Sequence, residues 1–250
     1  MADASPSLAQ LRAEIDGIDD ALLDLLERRI AIGRRVAAAK GDASGPFLRP
    51  GREAQIVRRL AARLDGGDLP VAVMERIWRE ILAANLARQV DPVTVVWAPA
   101  SAEALVDLAR DRGGSSTRVE TVAGPAAALA AIAEGRATLA VLPAPELTAW
   151  RWWPALLVDS PSKPRIVARL PLFGDPDCVA GVGLACQEPD PSGDDVSLWA
   201  VPGRRDDAVD VAEAADGTAC SLLAQDGWPT AAELPAGAIA IGAYARTRSH

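Results

Sequence analysis

The sequence predicts a multi-domain protein, with an all-α unit of three helices over residues 1–91 and an α/β unit over residues 92–250. Three observations support this. The first 90 residues repeat apolar side chains at helical spacing. After Asp91-Pro92, short β-branched runs alternate with helical segments. The charge also changes there, because residues 1–92 hold 14 basic and 14 acidic side chains and the remainder holds 12 and 20, within a net charge of −8.

The first predicted helix runs from Leu8 to Lys40. Apolar residues recur in it at spacings of three and four, and Arg29 falls in the same stripe. Ser7 is the expected N-cap, and the residues GDASGP after Lys40 end the helix. At 1.5 Å per residue such a helix approaches about 50 Å. A helix of that length usually packs against a partner.

Two shorter helices are predicted to follow. The second spans about Pro50 to Leu64, because proline suits a first helical turn. The third begins near Asp68, which is the expected cap, has Pro70 in its first turn and ends at about Gln89. Its apolar stripe consists of Val73, Ile77, Ile81 and Leu82.

The second unit alternates predicted strands and helices, which indicates a partly parallel sheet. Strands are predicted at 93–97, 119–122, 138–142, 165–170, 179–186, 196–201, 218–224 and 238–244. Helices are predicted at 102–112, 126–134 and 206–215. The Pro/Gly/Asp-rich segment 187–195 is a loop or a subdomain boundary.

Composition excludes several classes of function. The single histidine, His250, cannot supply a histidine-based metal site or triad. The three cysteines contain no CxxC spacing, which indicates reduced and mostly buried thiols; they are Cys178, Cys186 and Cys220. No basic stripe indicates nucleic-acid binding, and no apolar run reaches membrane-spanning length. The first residues lack a signal-peptide pattern, so a cytoplasmic location is expected.

Polar residues fall at helical spacing within the first 90 residues. Arg29 and Lys40 are 11 residues apart, so they lie about 20° apart around the helix axis and about 16 Å apart along it. Arg12 lies about 25 Å before Arg29 and on another face, so it would serve a site in a second copy of the chain. The segment has no serine, histidine or cysteine placed as a nucleophile. A cationic, hydrogen-bonding pocket of this kind suits a small dianion that is gripped without covalent attack.

The sequence resembles the all-helical chorismate mutase family (the AroQ type) over about residues 8–90. The matching stretches are LRAEIDGIDDALLDLLERR at 11–29, Lys40, RPGRE at 49–53 and IWREILAANLARQ at 77–89. The resemblance implies an intertwined dimer whose long first helices cross. It also implies conversion of chorismate to prephenate by a [3,3] rearrangement, with no cofactor and no metal.

The resemblance also implies roles for individual residues. Arg29 and the partner chain's Arg12 would bind the two substrate carboxylates through charge-assisted bonds. Lys40 and Gln89 would donate hydrogen bonds to the ether oxygen, which gains negative charge as its C–O bond breaks. A pericyclic reaction requires only a compressed conformer and stabilisation of this charge.

The remaining roles concern the substrate ring. Glu53 would bind the ring hydroxyl, and Arg52 would help to orient the substrate. Asn85 stands where the family usually has serine and keeps a polar contact. Arg49 stands where an acidic residue often helps to bind the hydroxyl, so this chain departs from the family pattern there.

The second unit is similar to prephenate dehydratase in GRATLAVLPAPEL at 135–147, and PSGDDVSLWAV at 191–201 is similar to the entry of an ACT domain. The expectation is therefore a degenerate dehydratase-like domain, with an ACT-like end from about residue 193. The Thr-Arg-Phe motif of the dehydratase is absent, because the matching region reads GVGLACQEP. Dehydratase activity is not expected. Trp150, Trp152 and Trp153 are interpreted as core or interdomain packing, with an aromatic effector pocket as the alternative.

The expected function is therefore that of a chorismate mutase. One alternative is an isochorismate pyruvate-lyase on the same helical fold, against which Gln89 and Glu53 argue. The other is a non-catalytic regulatory dimer, against which the Lys40 and Gln89 pair argues.

Overall fold

The structure is a computed structural model that describes residues 6–39, 47–64, 66–99, 103–158, 160, 163–174 and 179–248. The chain separates into two compact units, residues 1–45 and residues 46–250. The predicted division at residues 91 and 92 and the ACT-like end stay predictions. Within the described ranges, no helix is both long and apolar enough to cross a membrane.

Helix α1 spans Leu8–Ala39 and has 32 residues, which agrees with the predicted long helix. The predicted cap is confirmed, because the Gln10 amide N–H donates to Ser7 Oγ at 3.3 Å and the Ser7 amide N–H donates to Gln10 Oε1 at 2.7 Å. These two bonds satisfy donors that a helix start otherwise leaves unpaired. The predicted last residue, Lys40, lies outside the described residues.

The large apolar side chains of α1 are exposed. Ile15 is 56% exposed, Ile18 53%, Leu22 53% and Leu25 60%. Side chains at these spacings lie on one side of the helix. An exposed apolar stripe of this length is typical of a surface that another polypeptide covers.

Helix α2 spans Pro50–Ala61, with Pro50 in its first turn as predicted. Its first turn is capped by a residue far along the chain. The amide N–H groups of Gly51 and Arg52 donate to Asp190 Oδ1 and Oδ2 at 3.0 and 3.1 Å. A carboxylate at a helix start satisfies unpaired amides and complements the helix dipole. The start of α2 is therefore fixed from outside the helical segment.

Helix α3 spans Val71–Ala87. Its N-cap is Pro70, with no side-chain cap, so the prediction that Asp68 caps this helix is wrong. The buried residues of α3 are Met74, Arg79 and Ala83. Of the predicted apolar stripe, Val73 and Ile77 are each 44% exposed, whereas Ile81 and Leu82 are half-buried.

In the described part of the second unit, the remaining residues form a nine-stranded mixed sheet with two α-helices, α4 (Ala104–Gly113) and α5 (Pro125–Ala133). The strands are β1 (Val93–Val96), β2 (Arg118–Thr121), β3 (Leu139–Pro143), β4 (Arg165–Leu170), β5 (Gly181–Ala185), β6 (Asp195–Pro202), β7 (Asp210–Glu213), β8 (Ala219–Asp226) and β9 (Ile239–Ala245). Their order is β2-β1-β3-β5-β4-β9-β6-β8-β7. β1 pairs in parallel with β2 and β3, and β4 with β9, whereas the other pairs are antiparallel. The expected partly parallel α/β sheet is confirmed.

The predicted helix over residues 206–215 is wrong. Residues 210–213 form β7, which pairs antiparallel with β8 from Asp210 opposite Leu222 to Glu213 opposite Ala219. The connecting turn contains Asp216 and Gly217, and Gly217 has a φ of +80°. An Asp-Gly pair between two strands is a strong hairpin signal, because glycine adopts this conformation without strain.

Two of the clustered tryptophans are core residues. Trp153 is fully buried, and its Nε1–H donates to Asp210 Oδ2 at 2.8 Å. Trp152 is also buried, and its Nε1–H donates to the Pro143 carbonyl at 3.0 Å. Trp150 is 56% exposed and meets Trp97 edge to face, with ring centroids 5.6 Å apart. The core interpretation therefore holds for Trp152 and Trp153.

The two cysteines among the described residues differ in burial. Cys220 is buried and Cys186 is exposed, and both are free thiols. Burial raises the pKa of each thiol. Cys178 lies outside the described residues. The expectation of mostly buried thiols is thus confirmed for Cys220 and wrong for Cys186.

Helix α2 is joined to the sheet by Arg58. Its Nη1 donates to Ser192 Oγ at 2.9 Å, and its Nη2 donates to the carbonyls of Asp194 and Arg246 at 3.1 and 2.6 Å. Hydrogen bonds from a charged donor are stronger than those between neutral groups. The position of α2, and of any side chain it presents, therefore depends on the sheet.

Candidate active site

The predicted site residues fall into three groups in the structure. One of them, Lys40, lies outside the described residues. Two lie on α1 in the first compact unit, and four lie on α2 and near the end of α3 in the second. The two are Arg12 and Arg29; the four are Arg52, Glu53, Asn85 and Gln89.

Arg29 carries a donor without an acceptor among the described residues. Its Nη1 atom is buried and makes no hydrogen bond there. Burial lowers the pKa of this guanidinium. Because an unpaired buried donor is costly, such a group is suited to receive an anion. Arg12 lies 17 residues earlier, about 25 Å along α1, and cannot reach the same small anion from the same helix.

Glu53 lies at the centre of a buried ion-pair cluster. Its Oε2 atom lies 2.6 Å from Arg112 Nη2 in an ion pair and accepts a hydrogen bond from Arg79 Nη1 at 3.2 Å. The three side chains are 14%, 12% and 10% exposed respectively, so the pairs are largely withdrawn from water. We call Glu53, Arg79 and Arg112 the Glu53 cluster. The cluster contains two cations and one carboxylate, so it carries one excess positive charge.

A second carboxylate balances the remaining charge. Arg79 Nη2 lies 3.4 Å from Glu75 Oε1, one helical turn earlier on α3. Burial lowers the pKa of Arg79, and Arg112 lowers it further, while Glu53 and Glu75 act in the opposite direction. Removing Glu53 would therefore leave two buried guanidinium groups with less compensation, which is strongly destabilising in protein interiors.

Sequence reasoning missed Arg79 and Arg112. The available signal was local, because Glu75 and Arg79 have the i,i+4 spacing of a helix ion pair. Arg112 carried no such signal toward Glu53, since 59 positions separate the two. Only the folded chain brings α4 against α2 and α3.

The other site residues of the second unit are exposed or half-buried. Arg52 is exposed, and its Nη1 donates to Gln55 Oε1 at 3.1 Å. Gln89 is exposed, and its Nε2 donates to the Asn85 carbonyl at 3.2 Å. Arg49 forms an ion pair with Asp190 at 3.4 Å. Arg52 and Gln89 therefore keep donors that a ligand in solution can reach.

The chemistry of this set is binding and polarisation. It consists of cations, amides and one carboxylate. Between residues 8 and 92 the sequence has one serine, Ser44, and no histidine or cysteine. Among the described residues, no group of three or more His, Cys, Asp or Glu side chains is arranged to hold a metal ion. These residues can hold an anion and stabilise developing negative charge through hydrogen bonds.

Comparison with known proteins covers the helical segment best. Residues 11–90 match the family described as Chorismate mutase type II. A bifunctional chorismate mutase/prephenate dehydratase of Aquifex aeolicus is 37% identical over 83 residues, which are 32% of this chain and 23% of that protein. A protein of the same name from Stutzerimonas stutzeri is 35% identical over 96 residues, 36% of this chain and 26% of that protein. The chain thus spans about a quarter of the length of these relatives.

Two further similarities differ in kind. A 4-amino-4-deoxychorismate mutase of Streptomyces venezuelae is 45% identical over 56 residues, 22% of this chain and 53% of that protein. A solved prephenate dehydratase from Streptococcus mutans aligns with 62% of this chain and 98% of its own, with 10% identity and a TM-score of 0.45. A structural likeness this distant assigns no activity.

Proposed function

We propose that this chain, whose residues 11–90 match the family described as Chorismate mutase type II, catalyses the rearrangement of chorismate to prephenate. The match of those residues to the family carries the proposal. The relatives named bifunctional chorismate mutase/prephenate dehydratase support it over the same stretch. The cytoplasmic location expected from the sequence stays a prediction.

The proposed mechanism requires no covalent bond between protein and substrate, because one C–O bond breaks and one C–C bond forms within the substrate itself. Arg29 and the partner's Arg12 hold the two carboxylates of chorismate, which selects a compact conformer. Lys40 and Gln89 donate hydrogen bonds to the ether oxygen as its bond to carbon lengthens. Fixing the reactive conformer and stabilising developing charge are the two contributions available to a protein in such a reaction. The buried Nη1 of Arg29 makes no hydrogen bond to any residue that the structure describes, which supports its part in this scheme.

We propose a homodimer, because one α1 cannot supply both arginines to one substrate. Arg12 and Arg29 are separated by about 25 Å on the same helix. The exposed apolar stripe of α1 supports the proposal, since a second copy would remove it from water. Each site would then contain Arg29 from one protomer and Arg12 from its partner.

A second candidate substrate is 4-amino-4-deoxychorismate, which the relative at 45% identity favours. The two compounds differ in whether the ring carries an amino or a hydroxyl group at one position. Glu53, the residue proposed to bind that group, already pairs with two guanidinium groups. A third cation next to them would be repelled, whereas a neutral hydroxyl would not. The Glu53 cluster therefore favours chorismate.

The test is to incubate the purified chain with chorismate, 4-amino-4-deoxychorismate and isochorismate separately and to identify the products. We expect prephenate from chorismate and no phenylpyruvate at neutral pH. Phenylpyruvate would contradict the expectation that the chain lacks dehydratase activity. Salicylate and pyruvate from isochorismate alone would favour the lyase alternative. Failure to convert any substrate would favour the non-catalytic regulatory dimer.

Two variants test the assigned residues. Lys40→Ala should lower kcat by about 100-fold or more, as expected for the loss of one donor to developing negative charge. Lys163→Ala is the matched control, because Lys163 is the other lysine of the chain and lies outside the family match. Mixing Lys40→Ala with Arg12→Ala should restore part of the activity through hybrid dimers that contain one intact site. Absence of rescue would contradict a site shared between protomers.

A further inference from the structure

A cavity of about 150 Å³ lies in the second unit between α3, α4 and the end of β4. Six charged residues line it, of which four are arginines and two are carboxylates: Glu75, Arg76, Arg79, Asp111, Arg112 and Arg169. None of them belongs to the residue set proposed to bind chorismate. The excess of cations in the lining suggests a ligand that carries negative charge.

Three of the arginines have side chains with little exposure to solvent. The side chains of Arg79, Arg112 and Arg169 are 10%, 12% and 12% exposed, and they come from α3, α4 and β4 respectively. Arg76 differs, because it is 76% exposed and pairs with Asp111 at 3.4 Å near the surface. Arginines with little exposure from three separate elements therefore line the cavity.

The carboxylates among the described residues do not engage all of these donors. Each guanidinium has five N–H groups. Ion pairs among the described residues engage two nitrogen atoms of Arg79, one of Arg112 and one of Arg169. One of these pairs is shared, because Arg79 and Arg112 bind the same oxygen atom of Glu53. The pKa of Arg79 is lowered, so a further anion next to it would stabilise its charged form.

The rest of the lining is apolar. Leu108 comes from α4, and Leu170, Leu172 and Phe173 come from the end of β4 and the segment after it. Leu170, Leu172 and Phe173 are 2%, 5% and 7% exposed, so this wall is continuous with the core. A cavity of this order of volume can hold a molecule the size of benzene.

We propose that this cavity binds a small organic carboxylate with a ring-sized apolar body. Its carboxylate lies against Arg79 and Arg112, and its body packs against Leu108, Leu172 and Phe173. The alternative is a purely structural ion cluster around ordered water, since polar cavities of sufficient size are hydrated. A ligand site would bind a charged aromatic molecule in place of water, whereas a structural ion cluster would not.

The test uses benzoate as the probe and benzamide as its uncharged counterpart. Binding to the full chain is measured at low ionic strength by calorimetry and by saturation-transfer NMR. We expect benzoate to bind at least about tenfold more tightly than benzamide, because the carboxylate makes charge-assisted hydrogen bonds. Equal binding of the two, or no binding of benzoate at millimolar concentration, would overturn the proposal.

Variants locate the binding. Arg112→Gln should weaken benzoate binding by about tenfold. Arg110→Gln is the matched control, because Arg110 lies on the same helix and is 63% exposed in a pair with Asp107. Ala72→Phe tests the site without altering any charge, since Ala72 lines the cavity from an exposed position on α3. It should abolish binding even if Arg112→Gln does not fold.

Arg29→Ala distinguishes this cavity from the proposed mutase site, which also attracts carboxylates. We expect Arg29→Ala to bind benzoate as the unmodified chain does. Loss of binding in Arg29→Ala with full binding in Ala72→Phe would place the probe in the mutase site and overturn the proposal. Because no turnover is measured, these results do not depend on whether the chain converts chorismate.

Discussion

Replacing Asp190 with alanine should destabilise α2 and thereby the part of the candidate site that it carries. Both carboxylate oxygens of Asp190 accept backbone N–H groups in the first turn of that helix, at 3.0 and 3.1 Å. Arg49 adds an ion pair at 3.4 Å. The side chain is 13% exposed, so water replaces these contacts poorly. Arg52 and Glu53 stand in the turn that Asp190 caps.

The expected loss in unfolding free energy is about 2 kcal/mol. Removing a helix cap typically costs about 0.5–2 kcal/mol. Removing a negative charge from a helix start adds roughly 0.3–1 kcal/mol. The ion pair with Arg49 adds little, because Arg49 is 43% exposed. Asp190→Asn retains a side-chain acceptor and loses the charge, so its cost should be about half as large.

Urea denaturation followed by circular dichroism measures these differences. Asp207→Ala is the matched control. Asp207 also makes two hydrogen bonds, from Arg205 Nε and Nη2 at 2.8 and 2.9 Å, but it is 61% exposed. Its removal should change the unfolding free energy by less than about 0.5 kcal/mol.

The order of the three variants decides the outcome. Asp190→Ala should be the least stable, followed by Asp190→Asn and then Asp207→Ala. If Asp190→Ala and Asp207→Ala lose the same amount, Asp190 does not support α2 and the reasoning fails. If Asp190→Asn loses as much as Asp190→Ala, the charge alone matters and the cap geometry does not.

Three other substitutions, two near α2 and one in α1, give further predictions. Gly51→Ala should lower the unfolding free energy by at least about 2 kcal/mol, because the new Cβ would lie 2.1 Å from the Asp190 carbonyl oxygen. Gly17→Ala should raise it by up to about 1 kcal/mol, because the new Cβ in α1 meets open space. Thermal melts measure both changes. A hydrogen bond from Arg248 is the largest cause that lowers the pKa of Asp194 below its usual value of 3.8. The ionised Asp194 side chain therefore contributes its full stabilisation above that value. This stabilisation is lost as the pH falls through the lower pKa of the folded state. The Tm difference between the unmodified chain and Asp194→Asn should therefore shrink below about pH 4, and a constant difference would contradict this linkage.

Local signals were sufficient to predict much of the fold. The long helix and its Ser7 cap were predictable because the apolar spacing and the cap both lie within a few residues. The β4 strand was predicted with the bounds that the structure has, Arg165–Leu170. β7 was not predicted, because a strand of only four residues offers little periodicity.

The candidate site was less predictable, because its environment comes from distant parts of the chain. Residue types and spacing on α1, α2 and α3 suggested the polar set. They could not indicate that Arg112 would bind Glu53, or that Asp190 would cap the helix carrying Arg52 and Glu53. Pairings between positions so far apart depend on the folded topology, and periodicity within a helix carries no information about them.

These distant contacts bear on how independent the helical segment is. The family match ends at residue 90, yet α2 receives its cap from Asp190, and Arg58 donates to Ser192 and to the Asp194 carbonyl. Glu53 likewise takes one of its two cationic partners from α4. Each contact lies in the second compact unit, and each acts on the helix that presents two of the proposed substrate-binding residues. The α/β part therefore acts on the proposed mutase site by fixing α2 and setting the charge around Glu53, whether or not it carries an activity of its own.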